Sequence, residues 1–211
     1  NKLTLLRMAL TVPFTACLAL GGTGLYVAAL ALALIAALTD LVDGIVARRR
    51  DSGSAFGRFA DPLADKLFVA GALVTFAVVE HAPGTPLVPC WIALVVIWRE
   101  LLVTALRAYA AHRGVEVPSS KLGKAKTLLQ MTAVVAVVAF LAVRALVVES
   151  GGAWTAELDR VCRIVYLSLV GLAALQSLVS GVDYLIRGRA LIRSGLEADV
   201  RDHGATAEAA L

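Results

Sequence analysis

The 211-residue chain is 59% hydrophobic and 17% charged, against about 45–50% and about 25% in an ordinary soluble domain, so its apolar surface exceeds what a water-soluble core can hide. A spanning helix takes about 20 apolar residues, so this length holds roughly six spans with short loops and excludes a separate soluble domain. The formal net charge of +4 is spread over segment ends rather than along one groove, which argues for a membrane face and against nucleic acid.

In chain order the apolar segments run Leu3–Leu20, Leu25–Ala47, Phe59–Val79, Leu87–Ala111, Leu122–Val148 and Val161–Ile186. Gly21-Gly22, Ala82-Pro83-Gly84 and Gly151-Gly152 punctuate them as turns. The first segment is not followed by a small-residue cleavage site with a mature domain behind it, so it reads as a span and not as a secretory signal. With a cytoplasmic amino terminus, all of the 20 Lys and Arg except Arg144, Arg160 and Arg163 fall on the cytoplasmic side. That bias places both termini in the cytoplasm. The expected fold is therefore an all-α integral membrane protein of six transmembrane helices over residues 1–187. The polar stretch 188–211 is expected to be a loosely held cytoplasmic tail.

The second and third segments carry an unusual pattern. It reads D-x-x-D-G-x-x-A-R from Asp40 to Arg48, then eight residues, then G-x-x-x-D-x-x-x-D from Gly57 to Asp65. Spacings of three (Asp40, Asp43) and four (Asp61, Asp65) put each pair on one face of a helix. One segment runs towards the cytoplasm and the next runs back, so the four acids share a membrane depth. At about 2.5–3.5 kcal/mol per charged residue at a helix centre, such a set needs compensation. One or two divalent cations supply it, and all-carboxylate ligation selects hard ions, Mg²⁺ or Mn²⁺, over zinc. Two such ions about 3.5–4 Å apart are a recurring device for displacement at phosphorus.

Gly44 and Ala47 each follow an aspartate by four residues, which clears bulk from the acidic face so that a nucleotide can approach. Arg48 is available to its phosphates. Gly57 lets the chain re-enter the third segment, and Pro62 sits where an early-turn proline is tolerated. The bland alternative is a solvated loop whose acids pair with Arg48 to Arg50; it is disfavoured because Asp40 and Asp43 interrupt an apolar helix before the arginines begin.

This stretch resembles the signature of the CDP-alcohol phosphotransferases at every specified position. The resemblance implies that Asp40, Asp43 and Asp61 chiefly bind the metals, and that Asp65 also acts as general base. Over roughly residues 1–131 it extends towards the bacterial phosphatidylglycerophosphate synthases. It is carried there by the opening N-K-L-T-L-L-R with Thr4 and Arg7, Asp61-Pro62 with Ala64-Asp65-Lys66, Arg99-Glu100 followed by Arg107, and Gly123-Lys124-x-Lys126-Thr127-x-x-Gln130. It implies CDP-diacylglycerol as donor, bound by Thr4, Arg7, Asp43, Gly44, Ala47, Arg48 and Gly57, glycerol 3-phosphate as acceptor, and a homodimer in the membrane of a bacterium.

Charge placement independently favours an anionic acceptor. Arg99 and Arg107 lie in the inner half of the fourth segment, and Lys121, Lys124 and Lys126 open the fifth, whose amino-terminal amides also favour anions. Adjacent helix residues point apart, so a pairing of Arg99 with Glu100 is expected to be poor. Phosphatidylglycerol, as in a cardiolipin synthase of the same family, is the nearest rival acceptor, with an inositol phosphate behind it. A cation transporter is disfavoured, because its site would lie near the midplane and commonly within inverted repeats. Cys17, Cys90 and Cys162 read as small buried hydrophobes, with no spacing for a disulfide framework or zinc. His81, His112 and His203 read as surface or loop residues.

Overall fold

The computed structural model describes residues 2–46, 55–82, 84–112 and 121–208, with side chains over 6–39, 66–81, 84–110, 126–186 and 188–189. The described residues form six helices and one short hairpin. They are α1 (Lys2–Leu20), α2 (Thr23–Val46), α3 (Ala55–Val78), β1 (Glu80–Ala82), β2 (Thr85–Pro86), α4 (Cys90–His112), α5 (Lys121–Glu149) and α6 (Ala156–Glu208).

The expected turns are where the helices end. Gly21, Gly22, Gly84 and Gly151 all have positive φ, from 70° to 105°, a region open to glycine at little cost. Between α3 and α4 the turn is an antiparallel pair, β1 on β2, where the sequence indicated only a turn. Pro62 lies beyond the first turn of α3, because that helix begins at Ala55 and not after Gly57.

Neighbouring contacts close the helices into a ring in the order α1, α3, α4, α6, α5 and α2, with α3 also meeting α5 across it. Small residues set the closest approaches. A Cβ on Gly71 of α3 would stand 3.1 Å from the Thr11 methyl and 3.3 Å from that of Thr15 on α1. The Phe14 and Phe68 rings stack nearby at 4.7 Å. Ala29, Ala33 and Ala36 give α2 a fully buried small-residue stripe, the kind of face that lets helices approach in lipid.

The outer surface is apolar. Val12, Leu20, Val78, Trp91, Trp98, Leu101 and Ile186 are all more than three-fifths exposed, large apolar side chains that lipid would cover. Two stretches, Lys126–Glu149 and Ala156–Ile186, are long and apolar enough to cross a membrane, and Leu6–Leu20, Thr23–Thr39 and Lys66–Val78 are shorter apolar helices.

Three expectations change. Helix α6 does not stop at residue 187 but continues to Glu208. Ala, Arg, Leu and Glu, strong helix formers, supply 11 of the 21 residues from 188 to 208 and carry the helix past three glycines; the polar change after Ile186 marks a change of surroundings, not of backbone. His81 is buried, its side chain 6% exposed, because β1 folds it inward onto α6. The cysteines are free, but Cys90 is exposed and Cys17 and Cys162 are half-buried, so none is a core residue.

Candidate active site

Asp40 and Asp43 lie in the last turns of α2, and Asp61 and Asp65 lie on α3. Helical backbone at both pairs keeps each on one face, as their spacing requires. The side chains of all four, and those of Thr4, Gly44, Gly57, Lys121 and Lys124, lie outside the described residues, as do Ala47 and Arg48 entirely. The donor set itself, four carboxylates and no thiol or imidazole, is chemically suited to hard divalent ions.

Arg7 is described and is buried to 2% exposure on α1. Its carbonyl accepts a 3.0 Å hydrogen bond from the Thr11 hydroxyl one turn on. Helices α1 and α3 meet where Thr11 and Thr15 lie against Gly71. A guanidinium withdrawn from solvent to this degree needs polar or anionic company.

The acceptor residues proposed from sequence separate into two groups. Arg99 and Lys126 converge, and what joins them is Glu100. Its Oε1 accepts a 2.8 Å bond from Arg99 Nη1 and another from Lys126 Nζ. Side-chain exposures of 8% for Arg99, 9% for Lys126 and 12% for Glu100 make this a buried ionic cluster. The expectation that Arg99 and Glu100 would pair poorly is therefore wrong. The guanidinium is long enough to wrap back, and Lys126 on α5 draws the carboxylate into its reach.

Arg99 Nη2 also donates to the Ser180 hydroxyl on α6 at 3.0 Å. Gly181 makes room for that arm, since a Cβ there would stand 3.1 Å from both Arg99 Cγ and Nε. Arg107, two turns further along α4, is exposed, with its guanidinium 5.6 Å from the centre of the Tyr184 ring. It stands apart from the Glu100 group, at a distance suited to a cation–π contact.

Lys66 was missed as a site residue. Its ammonium donates to the Thr104 hydroxyl, which in turn donates to the Glu100 carbonyl at 2.6 Å. It lies within electrostatic reach of Glu100, Arg107 and Arg99. Its one signal in the sequence was a basic residue directly after the acidic pattern, at Asp65-Lys66. Among the described residues, four helices, α3 to α6, thus contribute to one largely buried cluster of three cations and one carboxylate.

Comparison with known proteins places these residues in context. A family model for CDP-alcohol phosphatidyltransferases matches residues 1–156. A probable phosphatidylglycerophosphate synthase of Mycobacterium tuberculosis is 31% identical over 190 residues, covering 89% of this chain and 79% of the relative. A CDP-diacylglycerol–glycerol-3-phosphate 3-phosphatidyltransferase of Bacillus subtilis is 40% identical over 146 residues, 64% of this chain and 72% of the relative. One of the same description from Pseudomonas fluorescens is 39% identical over 142 residues, 66% and 71% of the two chains.

Proposed function

The chain belongs to the CDP-alcohol phosphatidyltransferase family, and we propose that within it this enzyme moves the phosphatidyl group of CDP-diacylglycerol onto glycerol 3-phosphate, giving phosphatidylglycerol phosphate and CMP. It is a phosphatidyltransferase of phospholipid biosynthesis and a membrane protein. The observation that carries the acceptor is the buried cluster of Lys66, Arg99 and Lys126 around one carboxylate. Cations in surplus in a desolvated place need a further anion, and the phosphate of glycerol 3-phosphate is one.

In this reading all six helices span the bilayer of a bacterial cell membrane, both termini are cytoplasmic, and the site opens to the cytoplasm. The distribution of Lys and Arg supports that orientation. The enzyme works as a homodimer. Asp40, Asp43, Asp61 and Asp65 hold one or two Mg²⁺ or Mn²⁺ ions, which when bound supply Lewis acidity at the pyrophosphate. Thr4, Arg7, Asp43, Gly44, Ala47, Arg48 and Gly57 seat the CDP-lipid.

Asp65 takes the proton from the C1 hydroxyl of glycerol 3-phosphate. That oxygen forms a bond to the phosphorus bearing the diacylglycerol, the bond from this phosphorus to the CMP oxygen breaks, and CMP departs with the electron pair. Arg99 and Lys126 bind the acceptor phosphate, with Arg107, Lys121 and Lys124 at its entry. Proximity of the bound hydroxyl to the donor phosphorus accounts for much of the rate.

The test is CMP release from CDP-diacylglycerol by purified protein with Mg²⁺, across glycerol 3-phosphate, phosphatidylglycerol and inositol phosphate. Turnover with glycerol 3-phosphate alone is expected. Turnover only with phosphatidylglycerol would replace the proposed acceptor.

A further inference from the structure

The reaction above uses Arg99 and Lys126 but gives Glu100 no part, although both cations meet on one of its oxygens. Arg99 comes from α4 and Lys126 from α5, two like charges that would repel one another in a region almost closed to solvent. A carboxylate between them removes that repulsion and fixes where each cation points. The rest of the cluster is braced in the same way, Arg99 by Ser180 and Lys66 by Thr104.

One carboxylate does not neutralise the group. Among the described residues, Lys66, Arg99 and Lys126 stand against the one carboxylate of Glu100, a surplus of two charges. A phosphate monoester brings about −1.5 to −2 charges near neutral pH, which nearly closes that surplus. A phosphodiester headgroup brings only one.

We propose that Glu100 is a positioning residue for the acceptor: it holds Arg99 and Lys126 together as a paired cationic seat whose surplus charge suits a phosphate monoester over a diester. This rests on glycerol 3-phosphate being the acceptor. Glu100 does not touch the reacting atoms; it acts through the two cations.

The test compares Glu100→Gln and Glu100→Asp with the unchanged full-length enzyme in detergent micelles. Glu100→Gln keeps the shape and removes the charge. Its KM for glycerol 3-phosphate is expected to rise about tenfold or more, the effect of about 1.4 kcal/mol, with kcat within about threefold and the KM for CDP-diacylglycerol unchanged. Competitive inhibition by inorganic phosphate weakens in parallel. Glu100→Asp, which keeps the charge and retracts it by one methylene, recovers part of the loss and serves alone if Glu100→Gln does not fold. An unchanged acceptor KM with reduced kcat, or an equal rise in the KM for the donor, would overturn the proposal. If the unchanged enzyme ignores glycerol 3-phosphate, the acceptor reading fails by itself. Binding of inorganic phosphate, measured calorimetrically on both forms, then still decides the part of Glu100, with equal affinity counting against it.

Discussion

Glu100, midway along α4, and Asp159, in the first turn of α6, each gather donors from several elements, at different depths of the bundle. Asp159 takes Trp154 Nε1 at 2.9 Å, His81 Nε2 at 2.6 Å and an ion pair with Arg144 Nε at 3.2 Å. Phe140 lies over this group, 5.5 Å from the His81 ring, 6.0 Å from Trp154 and 5.0 Å from Tyr166. One acid meets one arginine there, aromatic rings cover the set, and the result ties the β1 turn and α5 to the start of α6. Around Glu100, among the described residues, the cations outnumber the acid. Balanced charge under aromatic cover is how a buried polar cluster stabilises a fold; surplus charge of one sign is how it awaits a ligand.

The contrast breaks most readily at the aspartates, where the largest effects are expected. Chelating divalent metal should bring CMP release to background, and Mg²⁺ or Mn²⁺ should restore it; activity surviving exhaustive chelation would remove the metal role of Asp40, Asp43 and Asp61. Next in size, Asp65→Asn should lower kcat by about 10²–10⁴, the range of a positioned general base, while calorimetric CMP binding persists. Near-normal kcat would sink the base assignment.

How far the sequence could be read depends on the range of the interaction. Asp40 with Asp43, and Asp61 with Asp65, declare themselves because spacings of three and four are local properties of a helix, and Gly21, Gly22 and Gly151 do so because a positive φ is a local demand. Glu100 could not be read in the same way. Its meaning depends on Lys126 arriving from α5, and a rule about adjacent side chains pointing apart has no term for a third partner. His81 was misread for the same reason, since only packing brings Asp159 to it across 78 positions of chain. In α6 the error was of another kind, taking loss of hydrophobicity for loss of helix.

The surplus can be sharpened one cation at a time. Lys66→Ala should raise the KM for glycerol 3-phosphate by about tenfold, since the charge it removes lies inside the cluster. Arg107→Ala should raise it by about twofold to threefold, because that guanidinium is exposed and screened. Equal effects would mean that the seat is more open than the burial of Arg99 and Lys126 indicates.

The smallest kinetic effect belongs to Asp159, and it is the one that tests the comparison itself. Asp159→Ala leaves Trp154 Nε1 without its acceptor and Arg144 without its ion-pair partner; an unpaired, partly buried donor costs about 1–3 kcal/mol, and the partly exposed arginine adds little. In a chain of this length that lowers Tm by several degrees, at about 2–4 °C per kcal/mol. Asp159→Asn keeps an oxygen for Trp154 and gives up only the charge, so its loss should be the smaller of the two. Neither change alters the cations around Glu100, so both variants should keep the KM for glycerol 3-phosphate and for CDP-diacylglycerol within about twofold at temperatures well below Tm. A selective rise in the acceptor KM would mean that the α5–α6 junction sets the position of Lys126 and Ser180, and the two clusters would then be one coupled system.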